Sequence, residues 1–199
     1  FENPLSTTYL KFNHMIKSKA DLTYYLSEDA KYVGYWKPTL KDWLLRNEYW
    51  YIYHYIRHLR HIEYYLNKGK TKNLSFLWHW IKYKRLGFKL HYTIYPNTIG
   101  PGFRIFHCGG YVHVGPHTHI GKNCTLMPGV VFGNKNQNCK WQKITVGDNC
   151  YFGLDSKIFG PVTIGNNVIV GANSVITKDI PDNAVVGGVP AQIIRFQSK

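Results

Sequence analysis

Large apolar residues recur at every sixth position in the C-terminal half of the chain: Val146, Phe152, Ile158, Ile164, Val170 and Ile176. Glycine follows four of these anchors, at Gly147, Gly153, Gly165 and Gly171. A small or β-branched residue stands four positions after an anchor, at Cys150, Ser156, Val162, Val168 and Ser174. An earlier run keeps the same beat with Val114, Ile120, Leu126 and Phe132, and with Thr118, Cys124 and Val130 at the second position. Ile94, Ile99 and Ile105 lead into it less regularly.

A period of six fits neither the 3.6 of an amphipathic helix nor the 2 of a half-buried strand. It is the pattern of a stacked parallel β-helix built from hexapeptides. Each hexad forms one flat face of a triangular prism, and three hexads close a coil. The anchor points inward onto the anchor one coil away, and the small residue points inward near the corner. Such prisms are left-handed, an exception to the right-handed rule for parallel crossovers. The span from Ile94 to Ile176 has room for about four coils. A β-sandwich with regular turns is the competing architecture, and two runs in strict register argue against it.

The first 90 residues carry helical spacing instead. Ser18 and Asp21 form a capping-box-like start ahead of Leu22, Tyr25 and Leu26. Lys37-Pro38-Thr39 opens a second, longer helix whose stripe runs Leu40, Trp43, Leu44, Ile52, Ile56, Leu59, Ile62 and Leu66, with Gly69 as its terminator. A third segment, 75–85, places Phe76, Leu77, Trp80 and Ile81 on one side and ends at Gly87. The expected fold is therefore α+β: an N-terminal helical domain over 1–90, with 1–14 read as an extension, and a left-handed parallel β-helix over 91–199. A polar, Asn-rich break over 133–143 is too long for a tight turn and is expected to be extruded from the prism, as functional loops on rigid scaffolds often are.

The net charge of +14 is uneven: residues 1–92 hold 16 of the 25 Lys and Arg and 7 of the 11 Asp and Glu. Basic and aromatic residues together could serve nucleic acid, but the chain carries no nucleic-acid motif, so none is expected. Contact of the basic helices with an anionic membrane surface stays open beside the plainer reading of a solvated basic face. No apolar stretch reads as a signal peptide or is long enough to span a bilayer. Of the four cysteines, Cys124 and Cys150 fall on the small inward position, and Cys108 and Cys139 lie elsewhere without metal spacing. A reducing cytoplasm is the expected location, with the inner face of the membrane as its variant.

Several segments resemble the serine acetyltransferase branch of the hexapeptide-repeat acyltransferases. They are Tyr95-Pro96 with Ile99-Gly100-Pro101-Gly102, Ile105-Phe106-His107-Cys108-Gly109-Gly110, Ile144-Thr145-Val146-Gly147, and Val186-Gly187-Gly188-Val189-Pro190-Ala191. The resemblance covers more than half the chain and leans toward members found among polysaccharide-modifying acetyltransferases. It implies acetyl-CoA as co-substrate, no metal, and a homotrimer whose cofactor grooves lie between subunits. It also implies His107 as general base. An alcohol must lose its proton as it attacks a thioester, and a neutral imidazole with an ordinary pKa of about 6.5 suits that task. Gly153, Gly171 and Ala172 are the candidates for backbone contact with the pantetheine arm, and Lys178 and Arg195 for its phosphates.

Two departures bear on the acceptor. Serine enzymes of the branch carry an Asp where Thr93 stands, and a His where Trp141 stands. Losing both argues for a sugar hydroxyl over free serine, with Thr93, Trp141 and His113 as acceptor-side candidates. No carboxylate directly precedes His107, so a backbone carbonyl is expected to orient its ring. Two histidine groups, His54/His58/His61 and His113/His117/His119, have spacings that a metal site could use, though packing or surface roles are favoured. The alternatives are serine acetylation, a non-catalytic scaffold, and a metal-dependent hydratase built on the second histidine group.

Overall fold

The computed structural model describes residues 15–32, 38–136 and 143–198. Among the described residues four helices come first: α1 (Lys19–Tyr32), α2 (Leu40–Leu44), α3 (Glu48–Asn67) and α4 (Leu74–Leu90). The start signals act as the sequence suggests. The Ser18 hydroxyl accepts the Asp21 N–H at 3.0 Å, and the Asp21 carboxylate accepts the Ser18 N–H at 2.8 Å. Thr39 and Asp42 form a full capping box on α2. Gly69 ends α3 in the left-handed conformation, at φ +65°.

The stripe read as one long helix from Leu40 to Leu66 is two helices. Arg46 turns left-handed at φ +53°, and Asn47 restarts the chain by accepting the Tyr49 N–H at 3.1 Å. The residues ahead of this break are exposed (Leu40 78%, Leu44 72%), whereas Ile52, Ile56, Leu59 and Ile62 behind it are buried. Apolar spacing alone does not register an interruption of three residues, so the stripe runs through it. Gly87 does not end α4, and Leu77 and Ile81 on that helix are exposed rather than buried. A side chain at Gly87 would come within 2.8 Å of the Tyr92 carbonyl oxygen and 3.2 Å of the Tyr55 ring, so glycine here allows a close crossing rather than a stop. The helix ends at Leu90, where His91 takes the left-handed cap position at φ +61°.

The prism follows at once. The first coil holds β1 (Tyr92–Ile94), a single bridge at Ile99, and β2 (Arg104–Ile105). The second holds β3 (Val112–Val114), β4 (Thr118–Ile120) and β5 (Thr125–Leu126). The third holds β6 (Val131–Asn134), β7 (Ile144–Val146) and β8 (Tyr151–Phe152), and the fourth β9 (Lys157–Gly160), β10 (Val162–Ile164) and β11 (Ile169–Val170). A fifth rung holds β12 (Val175–Ile176), a bridge at Ile180, and β13 (Ala184–Gly187), after which β14 (Gln192–Phe196) turns back antiparallel on β13. Four coils thus separate Ile94 from Ile176, as the spacing requires.

The registers stack the anchors directly. On the first face Ile94 lies over Val114, Phe132, Ile158 and Ile176. On the second, Ile99, Ile120, Val146, Ile164 and Ile180 form the column. On the third, the column is Ile105, Leu126, Phe152, Val170 and Val186. The small-position residues Thr118, Cys124, Val130, Cys150, Ser156, Val168 and Ser174 are buried between them. A fully buried aliphatic anchor contributes about 1.5–3 kcal/mol, so three continuous columns hold the prism together.

Glycine and asparagine divide the corner chemistry. At Gly147 a Cβ would meet the Asn166 nitrogen and the Gly165 carbonyl carbon at 2.8 Å, so glycine there permits rung-to-rung approach. The turn itself is made by Asn123, Asn149, Asn167 and Asn183, with φ between +55° and +61°. Asparagine tolerates this region because its short amide hydrogen-bonds locally. The four amides form a ladder up one edge, at 3.2, 3.2 and 2.9 Å.

The helices seal the open end of the stack. Arg60, fully buried on α3, pairs with Asp29 at 2.8 Å and Glu63 at 3.0 Å and donates to the Ile99 and Gly100 carbonyls at 2.8 Å each. Glu63 accepts the Asn97 N–H at 2.8 Å, and Asp29 accepts the Phe103 N–H at 2.9 Å. On the first face the Tyr55 hydroxyl accepts the Ile94 N–H at 3.3 Å, and the Tyr83 hydroxyl donates to the Ile94 carbonyl. Each face of the first coil therefore has outward backbone groups met by a side chain from the helices.

Candidate active site

Each coil turns from its third face to its first along one edge of the prism. His107 stands on the uppermost turn of that edge, between β2 and β3, in the left-handed conformation at φ +60°. That geometry costs a residue with a Cβ roughly 1 kcal/mol, and two contacts hold it. The Tyr92 hydroxyl donates to the His107 carbonyl at 2.6 Å. Glu48, the first residue of α3, faces the turn with both carboxylate oxygens: Oε1 lies 2.8 Å from His107 Nδ1, and Oε2 accepts the Cys108 N–H at 3.1 Å and its thiol at 3.4 Å.

This corrects the expectation that a backbone carbonyl orients His107. The carboxylate comes from the helical domain, 59 residues upstream. Burial alone would raise the Glu48 carboxyl, but hydrogen bonds from the Cys108 N–H, His107 and the Cys108 thiol outweigh it and hold the group below its ordinary range. The α3 N-terminus favours the same anion. An ionised carboxylate only accepts hydrogen bonds, so Nδ1 must carry the hydrogen and Nε2 is left as the basic nitrogen. The ring is more than half exposed, at 57%. An oriented imidazole with a free basic nitrogen in an open turn is equipped to take a proton from an incoming hydroxyl.

The other candidates are distributed around this edge. Gly153, Gly171 and Ala172 lie on lower turns of the same edge as His107; a Cβ on Gly153 would sit 2.7 Å from the Ala172 nitrogen, so the backbones there are in close contact. Arg195 is exposed on β14, paired with Val185 on the third face. Lys178 is exposed on a different edge, between the first and second faces, so within one chain it does not join the line below His107. Thr93 and His113 are register partners on β1 and β3 and occupy the outward positions of the first face. Trp141, with residues 137–142 of the predicted loop, lies outside the described residues; Gly133 and Asn134, read as part of that loop, belong to β6.

Two grooves flank the first face at this end. One, of about 330 Å³, lies between the end of α4 and β1 and includes Thr93, Tyr92 and Tyr111 in its lining. The other, about 270 Å³, holds Tyr95, His113 and His117. His119 projects from the second face, so the three histidines do not share one surface. In the helices, His58 Nδ1 lies 2.8 Å from His79 Nδ1, and His61 stacks on His79 with ring centres 4.2 Å apart. Burial, then the neighbouring histidines, push His58 down to about 3; burial likewise pushes His79 to about 4. These rings pack as neutral aromatics between α3 and α4. Among the described residues, no three His, Cys, Asp or Glu side chains converge as metal ligands.

The repeat and the prism define a hexapeptide-repeat protein with a left-handed parallel β-helix. The profile described as the hexapeptide repeat of succinyl-transferase matches residues 143–178. A serine acetyltransferase of Mycobacterium tuberculosis is 37% identical over 103 residues, covering 51% of this chain and 44% of its own length. A galactoside O-acetyltransferase of Escherichia coli is 38% identical over 86 residues, covering 38% of this chain and 42% of its own. The chain thus spans less than half the length of either relative. Among solved structures, a serine acetyltransferase of Brucella abortus in complex with coenzyme A superposes with a TM-score of 0.71 at 22% identity, over 90% of this chain and 70% of that one. In sequence and in fold, the chain is similar to the serine acetyltransferase-like branch of the hexapeptide-repeat acyltransferases.

Glu48 is the side chain at the His107 turn that sequence reading missed. Its signal was half present: Asn47-Glu48 is a good helix start, with an acid in the first turn. Nothing local reveals that this start abuts the turn holding His107.

Proposed function

We propose that the chain is an acetyl-CoA-dependent O-acetyltransferase with His107 as general base. The Glu48–His107 pair carries this reading. An acceptor hydroxyl gives its proton to His107 Nε2 as its oxygen attacks the thioester carbonyl. A C–O bond forms, the C–S bond breaks, and the proton passes to the departing thiolate. Acetyl-CoA would run along the edge below His107, past Gly153, Gly171 and Ala172. The reading includes a homotrimer, in which Lys178 would reach the cofactor edge of a neighbouring copy.

The relatives' names support serine as acceptor more directly than a sugar. Thr93, standing where serine enzymes carry an Asp, supports a sugar hydroxyl. Thiol release from acetyl-CoA, measured with free serine and with a panel of saccharides, tests both. Turnover with neither would overturn the O-acetyltransferase reading.

Glu48 acts here through His107 as a positioning residue. Glutamine at this site can offer its NH₂ to Nδ1 and so favour the tautomer with hydrogen on Nε2, which is no base. Glu48→Gln is expected to lower kcat about 100-fold, with KM for acetyl-CoA nearly unchanged. Glu48→Asp should recover part of the rate. An equal loss in both variants, tracking a lower melting temperature, would mean that Glu48 is merely structural.

A further inference from the structure

We infer that the groove between the end of α4 and the first rung of the prism is a saccharide subsite, holding a sugar ring of the acceptor against Phe88 and Tyr111. This deepens the O-acetyltransferase reading and rests on it. The groove, about 330 Å³, borders the segment that carries His107: Tyr111 in its lining follows His107 by four residues, and Tyr92, also in its lining, donates its hydroxyl to the His107 carbonyl at 2.6 Å.

The lining suits a sugar. Phe88 is 89% exposed and Tyr111 52%, two large rings left in water beside a site. Tyr111 is already oriented: its hydroxyl lies 3.2 Å from His113 Nδ1, and the two rings lie 17° from parallel. Around these apolar faces stand a few polar groups, the outward Thr93 hydroxyl and the Lys84 ammonium, which lies over the Trp80 and Tyr83 rings at 5.0 and 5.7 Å. Flat apolar surface with sparse polar groups matches the alternation of C–H faces and hydroxyls on a pyranose. A free amino acid would call for a carboxylate to meet its ammonium, and among the described residues the lining includes neither Asp nor Glu.

The test compares the wild-type chain with Phe88→Ala and Tyr111→Ala, using methyl hexopyranosides, a trisaccharide and free serine as acceptors. Both alanine variants are expected to raise the saccharide KM about tenfold, with kcat and the KM for acetyl-CoA within about twofold. Phe88→Tyr and Tyr111→Phe should restore it. Saturation-transfer NMR of the trisaccharide reads the subsite without turnover, and a transfer signal that disappears in Phe88→Ala supports it. An unchanged saccharide KM in both variants overturns the inference. So does a change of oligomeric state instead of KM, which would make the rings an interface between copies. Acetylation of serine alone, with no saccharide signal by NMR, overturns the subsite and leaves the O-acetyltransferase reading standing. Turnover of no acceptor refutes that reading itself, while the NMR signal still decides the subsite.

Discussion

His107→Ala is expected to lower acetyl transfer by about 10²–10⁴-fold, the range of a positioned general base. The size follows from the acceptor. A hydroxyl is almost wholly protonated at neutral pH, and without a base it attacks as a weak neutral nucleophile. The variant should fold normally, because the His107 side chain is mostly exposed and packs into no part of the core. Binding of acetyl-CoA, measured by calorimetry, should be nearly unchanged, since the proposed cofactor contacts lie on lower turns. Activity above a tenth of wild type would remove His107 from the mechanism.

Arg60→Ala should destabilise the fold by about 3–5 kcal/mol, the cost of leaving buried charge unpaired. Arg60 is fully buried and touches four partners: the Asp29 and Glu63 carboxylates and the Ile99 and Gly100 carbonyls. Its removal strands two carboxylates and two carbonyls in the packed interior. At 2–4 °C per kcal/mol for a chain of this size, the melting temperature should fall by roughly 10 °C. The triple variant Asp29→Asn, Arg60→Met, Glu63→Gln should recover much of the loss, because no net charge then remains buried. A drop under about 1 kcal/mol in Arg60→Ala would mean that the region hydrates. Activity should fall along with stability, since α3 carries Arg60 near its middle and Glu48 at its start.

The prism was legible in the sequence because its period is its structure. Each anchor from Val146 to Ile176 meets the anchor one coil away, so a linear repeat translates directly into contacts. The motif around His107 singled that residue out, and the structure sets it on a turn beside Glu48. The helices were less so. Apolar spacing joined Leu40 to Ile52 across a break that rests on one left-handed residue, Arg46, with no glycine to mark it. Gly87 read as a stop because a glycine made for close packing looks the same as one made for a turn. Glu48 and the Arg60 cluster were illegible because each joins positions 30 to 75 residues apart, and no periodic pattern encodes such a pair.

Parallel stacks have a hazard of their own: the last rung of one molecule resembles the next rung of another, and an open end can template growth into a fibre. The tyrosine hydroxyls on Ile94, the guanidinium on Ile99 and Gly100, and the carboxylate on Phe103 occupy the groups that an added strand would need. The helical region therefore acts as a terminator that sets where the solenoid stops. The same packing that sets Glu48 against the His107 turn covers this end of the stack, so loss of the helices would expose these strand groups as well as take the carboxylate from His107.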